Sequence, residues 1–205
     1  MRFTVYAPEH KAFDDSDGTL RVVRAAKALF LRTGGSAQFS IRGVAKEAGL
    51  SMGALQHFFP TRDQLVAAML EFVANDYEQQ WQQLSRALPL SGKERLMKAI
   101  EYLVDDAFLV DTRHFFFSFW ALSCHNQFAA TLHEQICAHH TKNVASFVRA
   151  ACADFTTRQC REAALQIVAL TDGLMLFTSP GAKHFTTPAA MVRATKRTVC
   201  MILGI

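Results

Sequence analysis

Apolar residues recur along this chain at the three- and four-residue spacing of amphipathic helices, and the local signals are almost all helical. Helix start and stop signals follow one another most closely in the segment SIRGVAKEAGLSMGALQHFFPTRDQL, which begins at Ser40. Ser40 and Ser51 stand where helix N-caps are expected, and Gly49 and Pro60 stand where the two helices should end. The pattern therefore predicts two short helices joined by a tight turn, with another helix starting after Thr61.

The second short helix has two faces of different chemistry. Its apolar residues are predicted to pack inward, and four residues on the other side are left facing solvent. The inward set is Leu55, Phe58 and Phe59, and the outward set is Met52, Gly53, Gln56 and His57. Two helices joined by a short glycine-containing turn form the unit that places one helix in the DNA major groove, so this outward face is predicted to read DNA.

Longer helices are predicted on both sides of this segment. One covers about 19–33, and a second runs from about 61 to 88 behind the capping box T-x-x-Q. The pattern predicts further helices over 91–108, 114–125, 127–155, 156–178 and from 187 onward. We therefore expect an all-α fold, with an N-terminal three-helix helix-turn-helix part and a larger helical part behind it.

The C-terminal helices carry two expectations about burial. The helix 114–125, capped by Asp111 and Thr112, has phenylalanines on every side and should be buried all round. Leu165 and Phe177 are expected to face inward from the helix that follows the capping box at 156–159. The last two helices still carry more apolar surface than one bundle edge should expose, which favours a two-fold dimer.

Charge is concentrated where the DNA-reading unit is predicted. The chain carries a net charge of +4 over 205 residues, but seven Lys or Arg and only two acids lie between Thr19 and Asp63. A basic surface of this kind suits the phosphate backbone of nucleic acid. Residues 1–17 hold four acids against two bases, so they are expected to form a flexible arm without a role in phosphate binding.

The motif A-x-x-A-G-L-S-x-G-A-L-x-x-F-F-x-x-R-x-x-L resembles the DNA-binding domain of TetR-family regulators. The resemblance extends back to RVVRAAKALFLRTG and forward to TDGL at 171–174. It implies a helix-turn-helix DNA-binding domain over 18–70 and a ligand-binding and dimerisation domain over 71–205. It also implies a transcriptional repressor that binds palindromic operator DNA as a homodimer through its last two helices. A small-molecule inducer would release the DNA by tilting the helix 61–88.

We assign candidate DNA contacts from this unit. Base-edge or groove contacts are expected from Arg42, Met52, Gly53, Ala54, Gln56 and His57, and phosphate contacts from Ser40, Ser51, Thr61 and Arg62. Gln56 stands where the family usually has a tyrosine that contacts phosphate. The resemblance therefore implies a DNA contact at Gln56, but it does not fix the chemical type of that contact. The two-pronged amide of Gln56 suits adenine or a phosphate oxygen equally.

The resemblance implies a ligand pocket in the middle of the larger domain. Candidate lining residues are Phe116, Phe119, Trp120, Phe128, Cys137, His140 and Asp172. Ordinary core packing is the alternative for each aromatic residue. Aromatic rings beside a carboxylate, such as Asp172 or Asp106, could hold a cation, so the inducer is expected to be aromatic or cationic. The alternative for Asp172 is a cap or a pair within the dimer interface.

Other classes of function have weaker signals. His133, Cys137 and His140 share one helix face, but no second Cys/His pair supplies further metal ligands, so no metal or other cofactor is expected. A thiol- or metal-sensing regulator stays open as an alternative, as does a helical small-molecule-binding or adaptor protein without DNA binding. No Gly-rich phosphate loop or nucleophile elbow points to an enzyme. Five irregularly spaced cysteines and the lack of a signal peptide or membrane span favour a cytoplasmic protein.

Overall fold

Helices form the regular structure of this protein in a computed structural model, which describes residues 18–34, 39–86, 90–178 and 187–205. Within those ranges there are nine helices and no strand, which confirms the predicted all-α fold. The predicted arm over 1–17 lies outside the described residues. The helices are α1 (Gly18–Thr33), α2 (Ile41–Glu47), α3 (Met52–Phe58), α4 (Arg62–Arg86), α5 (Gly92–Phe108), α6 (Val110–Ser123), α7 (Gln127–Ala151), α8 (Thr157–Leu174) and α9 (Pro188–Leu203).

Side-chain caps begin most of these helices, as the sequence predicts. At α5, the Ser91 hydroxyl accepts a hydrogen bond from the Glu94 backbone N–H, and the Glu94 carboxylate accepts one from the Ser91 N–H at 2.7 Å. Thr156 forms the same reciprocal box with Gln159 at α8. Each box satisfies two backbone donors that a helix end leaves without a partner.

Three predicted helix boundaries are wrong. Helix α6 begins at Val110, so Asp111 and Thr112 lie in its first turn and are not its cap. Leu109 alone separates α5 from α6, and the Thr112 hydroxyl donates to the Asp106 carboxylate at 3.0 Å across this corner. Helix α7 ends at Ala151 instead of 155, and α8 ends at Leu174, where short turns replace the helix.

The chain divides into two compact units, and the first holds the described residues up to 78 together with 114–135. In this unit α1, α2 and α3 pack on one another. Large side chains that are fully buried form its core, namely Phe30, Phe39, Leu55, Phe59, Leu65, Met69, Leu70, Phe119 and Leu132. Phe58, which is predicted to pack inward from α3, is only half-buried. Phe117 is exposed, so α6 is not buried on every side as predicted. The functional boundary near residue 70 stays a prediction.

The second unit holds the described residues within 79–113 and 136–205. Helix α5 packs against both α8 and α9 in it. The start of α5 also lies so close to the end of α7 that a Cβ on Gly92 would stand 1.8 Å from the Ala150 carbonyl oxygen. Leu165 and Phe177, predicted to face inward, are 60% and 58% exposed instead. Helix α8 instead buries the neighbouring face, with Ala164, Ile167 and Val168.

Candidate functional site

Two serine caps fix where the short helices of the first unit begin. The Ser40 hydroxyl accepts from the Gly43 backbone N–H, and the Ser51 hydroxyl accepts from the Ala54 N–H, each at 3.1 Å. Between these helices Gly49 adopts a left-handed backbone conformation (φ 64°), which glycine takes without the steric cost of a side chain. The caps and the turn therefore set the directions of α2 and α3 through local interactions.

Helix α3 presents the face that the sequence predicts. Leu55 within α3 is fully buried, and so is Phe59 at its C-cap, whereas the residues predicted to face outward are exposed. The exposed residues are Met52, Gly53, Gln56 and His57, and Ala54 is half-buried beside them. Arg42 on α2 is also exposed. The face formed by these six residues is hereafter called the reading face.

A salt bridge joins α1 to the end of α2. The Arg32 guanidinium donates to both carboxylate oxygens of Glu47, at 3.3 and 2.6 Å. This hydrogen bond and the positive charge lower the pKa of Glu47, so the pair stays ionised at neutral pH. The pair lies at the surface, so its main effect is on the geometry of α1 and α2.

Arg62 occupies the first turn of α4 and is partly engaged within the protein. Its Nε donates to the Phe39 carbonyl oxygen at 3.4 Å, and its guanidinium lies 5.6 Å from the centre of the Phe39 ring. Thr61 and Gln64 exchange hydrogen bonds at the same helix end, which confirms the capping box. Arg62 is therefore held at the start of α4 by a backbone carbonyl and an aromatic ring.

The seven predicted ligand-lining residues fall into two groups. Phe116, Phe119, Trp120 and Phe128 belong to the first unit, and Cys137, His140 and Asp172 belong to the second. In the first group, the Phe116 and Trp120 ring centres are 6.2 Å apart. Phe119 is completely buried, as expected for ordinary core packing, while the other three are half-buried.

His140 and Asp172 come together in the second unit. The His140 Nε2 and Asp172 Oδ1 atoms are 3.9 Å apart, which is too long for a hydrogen bond. Burial, together with the charge of His139, lowers the pKa of His140 to about 4. Burial, together with the charge of Asp106, raises the pKa of Asp172 to about 6. Partial burial of the Cys137 thiol and the charge of Asp172 also raise the pKa of this thiol. Both His140 and Cys137 are therefore neutral at pH 7.

Trp81 is a candidate that the sequence did not mark as part of a site. Its ring centre lies 5.4 Å from that of His140, 6.0 Å from Tyr102 and 5.6 Å from Phe147. Trp81 is buried on α4, and helical spacing contains nothing that separates a core aromatic from a site aromatic. The second unit thus combines an aromatic cluster with His140 and the neighbouring carboxylate.

Several other kinds of site lack support within the described ranges. There, no group of three or more His, Cys, Asp or Glu side chains is placed to hold a metal ion. All five cysteines are free thiols, with Cys124 and Cys137 exposed and Cys152 and Cys160 buried. No described helix is both long and apolar enough to pass through a bilayer.

Both parts of the chain match described protein families. Residues 92–204, more than half of the chain, match the family described as BetI-type transcriptional repressor, C-terminal. Residues 22–69, which contain α2 and α3, match the family described as bacterial regulatory proteins, tetR family. The second match covers the whole reading face.

Curated relatives carry related descriptions. The HTH-type transcriptional regulator BetI of Escherichia coli O127:H6 is 26% identical over 153 residues, which cover 74% of this chain and 77% of that protein. The HTH-type transcriptional regulator PksA of Bacillus subtilis (strain 168) is 56% identical over 34 residues. That match spans only 17% of each protein.

Solved structures share the fold. A transcriptional regulator from Pseudomonas aeruginosa PAO1 superposes with a TM-score of 0.75 at 21% identity, over 91% of this chain and 90% of that one. A transcriptional regulator from Saccharomonospora viridis, solved in complex with choline, gives a TM-score of 0.70 at 21% identity, over 93% and 97%. At these identities the likeness shows the fold alone.

Proposed function

The chain belongs to the TetR family of bacterial transcriptional regulators, with a BetI-type C-terminal region, and from this membership we propose that it is a ligand-released repressor. Family membership makes it a DNA-binding regulator. The further steps of the proposal are that it binds palindromic operator DNA as a homodimer, and that a small cationic molecule ends repression. The observation that carries the proposal is the solvent-exposed reading face on a capped helix-turn-helix.

The reading face has the chemistry for base contact. Gln56 can donate and accept at an adenine edge, and Arg42 can donate to guanine. The residues assigned to base edges or groove are Arg42, Met52, Gly53, Ala54, Gln56 and His57. All of them except the half-buried Ala54 are exposed.

Phosphate contact is assigned to residues at helix starts. The hydroxyls of Ser40, Ser51 and Thr61 accept hydrogen bonds from backbone N–H groups, so each hydroxyl proton remains able to donate to a phosphate oxygen. Arg62 uses Nε for the Phe39 carbonyl, which leaves its two terminal nitrogens for phosphate. Contacts of this type set the register of a protein on DNA without reading the bases.

Dimerisation is supported by apolar residues that α8, α9 and the adjoining residues leave exposed. Met201 is 74% exposed, and exposed Leu165, Leu176 and Phe177 accompany it. Exposed apolar surface of this kind favours a partner, and a second copy of the chain would bury it symmetrically. A two-fold dimer would present two reading faces about 34–36 Å apart, which suits a palindromic site.

A cationic inducer is supported by the second unit and by one structural neighbour. Trp81 and its aromatic contacts lie in the same unit as Asp172, and ring faces and carboxylates both attract cations. The neighbour from Saccharomonospora viridis is described in complex with choline. Ligand binding would lower operator affinity only if the ligand prefers the conformation that does not bind DNA. Helix α4 begins shortly after α3 in the chain and contributes Trp81 to the second unit, so it is the element assigned to carry the change.

DNA binding is tested with a duplex selected from a random pool by the wild-type protein. We expect Arg62→Ala to weaken binding to all duplexes alike and to reduce the slope of log affinity against log salt by about one unit. Gln56→Ala should instead change the preference at particular bases. Lys142→Ala removes an exposed charge of the second unit and serves as the control, with binding unchanged. Unchanged binding in both test variants would contradict the assigned interface.

A further inference from the structure

The two groups that hold the Arg62 side chain are both neutral, and both belong to Phe39. The Phe39 carbonyl oxygen accepts from Arg62 Nε at 3.4 Å, and the Phe39 ring centre lies 5.6 Å from the guanidinium carbon. Among the described residues, no carboxylate forms a salt bridge with Arg62. A carbonyl and a ring face attract a guanidinium without cancelling its charge, so the full charge remains for a phosphate.

The Phe39 ring is itself fixed by the core of the first unit. It is 2% exposed and lies edge-on to the Phe30 ring, with ring centres 5.3 Å apart and ring planes at 87°. Phe30 is completely buried, and its ring centre lies 5.5 Å from that of Phe115 on α6. Side chains in a close-packed core keep a defined rotamer, so Phe39 offers Arg62 a fixed surface.

The main chain of Arg62 is fixed as well. Thr61 and Gln64 form the capping box that starts α4, and Arg62 is the first residue of that helix. With its backbone held by the box and its Nε held by Phe39, Arg62 keeps its two terminal nitrogens as donors for a ligand. A side chain that is already ordered loses less rotamer freedom when it binds.

We propose that Phe39 is a positioning residue for DNA binding, because its carbonyl and its ring preorganise Arg62 for phosphate contact before DNA arrives. The inference rests on the proposed function, since it takes the contact between Arg62 and phosphate from there. Phe39 is buried and makes no DNA contact of its own, so its whole effect on DNA affinity passes through Arg62.

A double-mutant cycle with the selected duplex tests the proposal on the full chain. Phe39→Leu keeps the carbonyl and an apolar side chain but removes the ring. We expect it to weaken binding about 2- to 10-fold for each subunit, and to do so for all duplexes alike. In the Arg62→Ala background the same substitution should have no further effect, because no side chain is left to position.

Phe30→Leu is the matched control for the loss of a buried ring. It removes an equal ring from the same core and leaves both contacts between Phe39 and Arg62 in place. Any loss of affinity that Phe30→Leu causes should be the same with Arg62 as with Arg62→Ala. A loss that disappears in Arg62→Ala for Phe30→Leu as well would overturn the specific role of Phe39.

A second measurement uses the wild-type protein and does not depend on whether a core variant folds. The heteronuclear NOE of Arg62 Nε, assigned by its absence from the Arg62→Ala spectrum, reports the order of this side chain without DNA. We expect a value close to that of the helical backbone amides. A value typical of a mobile side chain would overturn the proposal, and so would a Phe39→Leu loss that persists in full in Arg62→Ala.

Arg62→Ala separates this inference from the function on which it rests. If Arg62→Ala weakens binding but Phe39→Leu binds as the wild type does, the inference fails while the DNA-binding assignment survives. If Arg62→Ala binds every duplex as the wild type does, the phosphate contact in the proposed function fails, and the role of Phe39 fails with it.

Discussion

Met201 provides the most direct test of the proposed dimer. It lies near the end of α9 and is 74% exposed, the largest exposed fraction among the large apolar residues described. Substitution to glutamine keeps the length of the side chain and its helix propensity while replacing the apolar end with an amide. If Met201 is buried by a second copy of the chain, Met201→Gln should weaken the dimer.

The size of the effect follows from the exposed surface. Complete burial of a methionine side chain contributes about 1.5–3 kcal/mol, so burying the exposed three quarters contributes about 1–2 kcal/mol. A two-fold interface contains the residue twice, which gives about 2–4 kcal/mol for the dimer. The dimer dissociation constant should therefore rise roughly 30- to 700-fold. A buried amide without a hydrogen-bond partner would increase the loss.

Sedimentation equilibrium over a dilution series measures this dissociation constant directly. Met52→Gln is the matched control, because it makes the same substitution at a methionine that is 38% exposed on α3, in the first unit. It should dissociate as the wild type does. A wild-type dissociation constant for Met201→Gln, or an equal weakening by Met52→Gln, would show that the surface near Met201 is not the interface.

Two further predictions concern stability. Gly92→Ala should destabilise the fold by about 1–3 kcal/mol in urea unfolding, because its Cβ would stand 1.8 Å from the Ala150 carbonyl oxygen. A Cβ at Gly53 on α3 would meet no atom within 4 Å, so Gly53→Ala should stabilise the fold by up to about 1 kcal/mol. If Gly53→Ala proved less stable than Gly92→Ala, the packing at α5 would be contradicted. In Asp172→Asn, His140 remains, and its pKa falls from 6.5 to about 4 on folding. The unfolded chain then binds more protons than the folded chain, so the free energy of unfolding should drop as the pH falls from 6.5 to 4. In His140→Gln, Asp172 remains, and its pKa rises from 3.8 to about 6 on folding, so the free energy of unfolding should drop as the pH rises from 4 to 6. Equal slopes of unfolding free energy against pH in the two variants would refute these burial effects.

Interactions between residues close together in the sequence predict much of the fold. Ser51, Ser91 and Thr156 each cap the helix that the sequence predicts, because the capping hydroxyl and the backbone N–H that it accepts from are only three residues apart. The family resemblance also rests on local residues around Ser51, and the family matches confirm it. The DNA-contact residues stay a prediction, although Gln56 and His57 are exposed as the interface requires.

Helix ends and helix faces were less certain from the same pattern. The sequence predicts an α6 start at 114 because Asp111 and Thr112 resemble caps, but Thr112 donates to Asp106 on the preceding helix instead. Leu165 and Phe177 fit an inward stripe by their spacing and are nevertheless exposed. Apolar spacing identifies a stripe on a helix, but the side that is covered depends on where the neighbouring helices lie.

By itself the sequence determined the helical fold, most of the helix starts and the family, since these depend on residues a few positions apart. Only the tertiary structure decided which distant side chains meet. Trp81, His140 and Asp172 come from three different helices, and no spacing in the chain relates them. The perturbed protonation of His140 and Asp172 has the same origin, because burial and neighbouring charge exist only once the helices have packed.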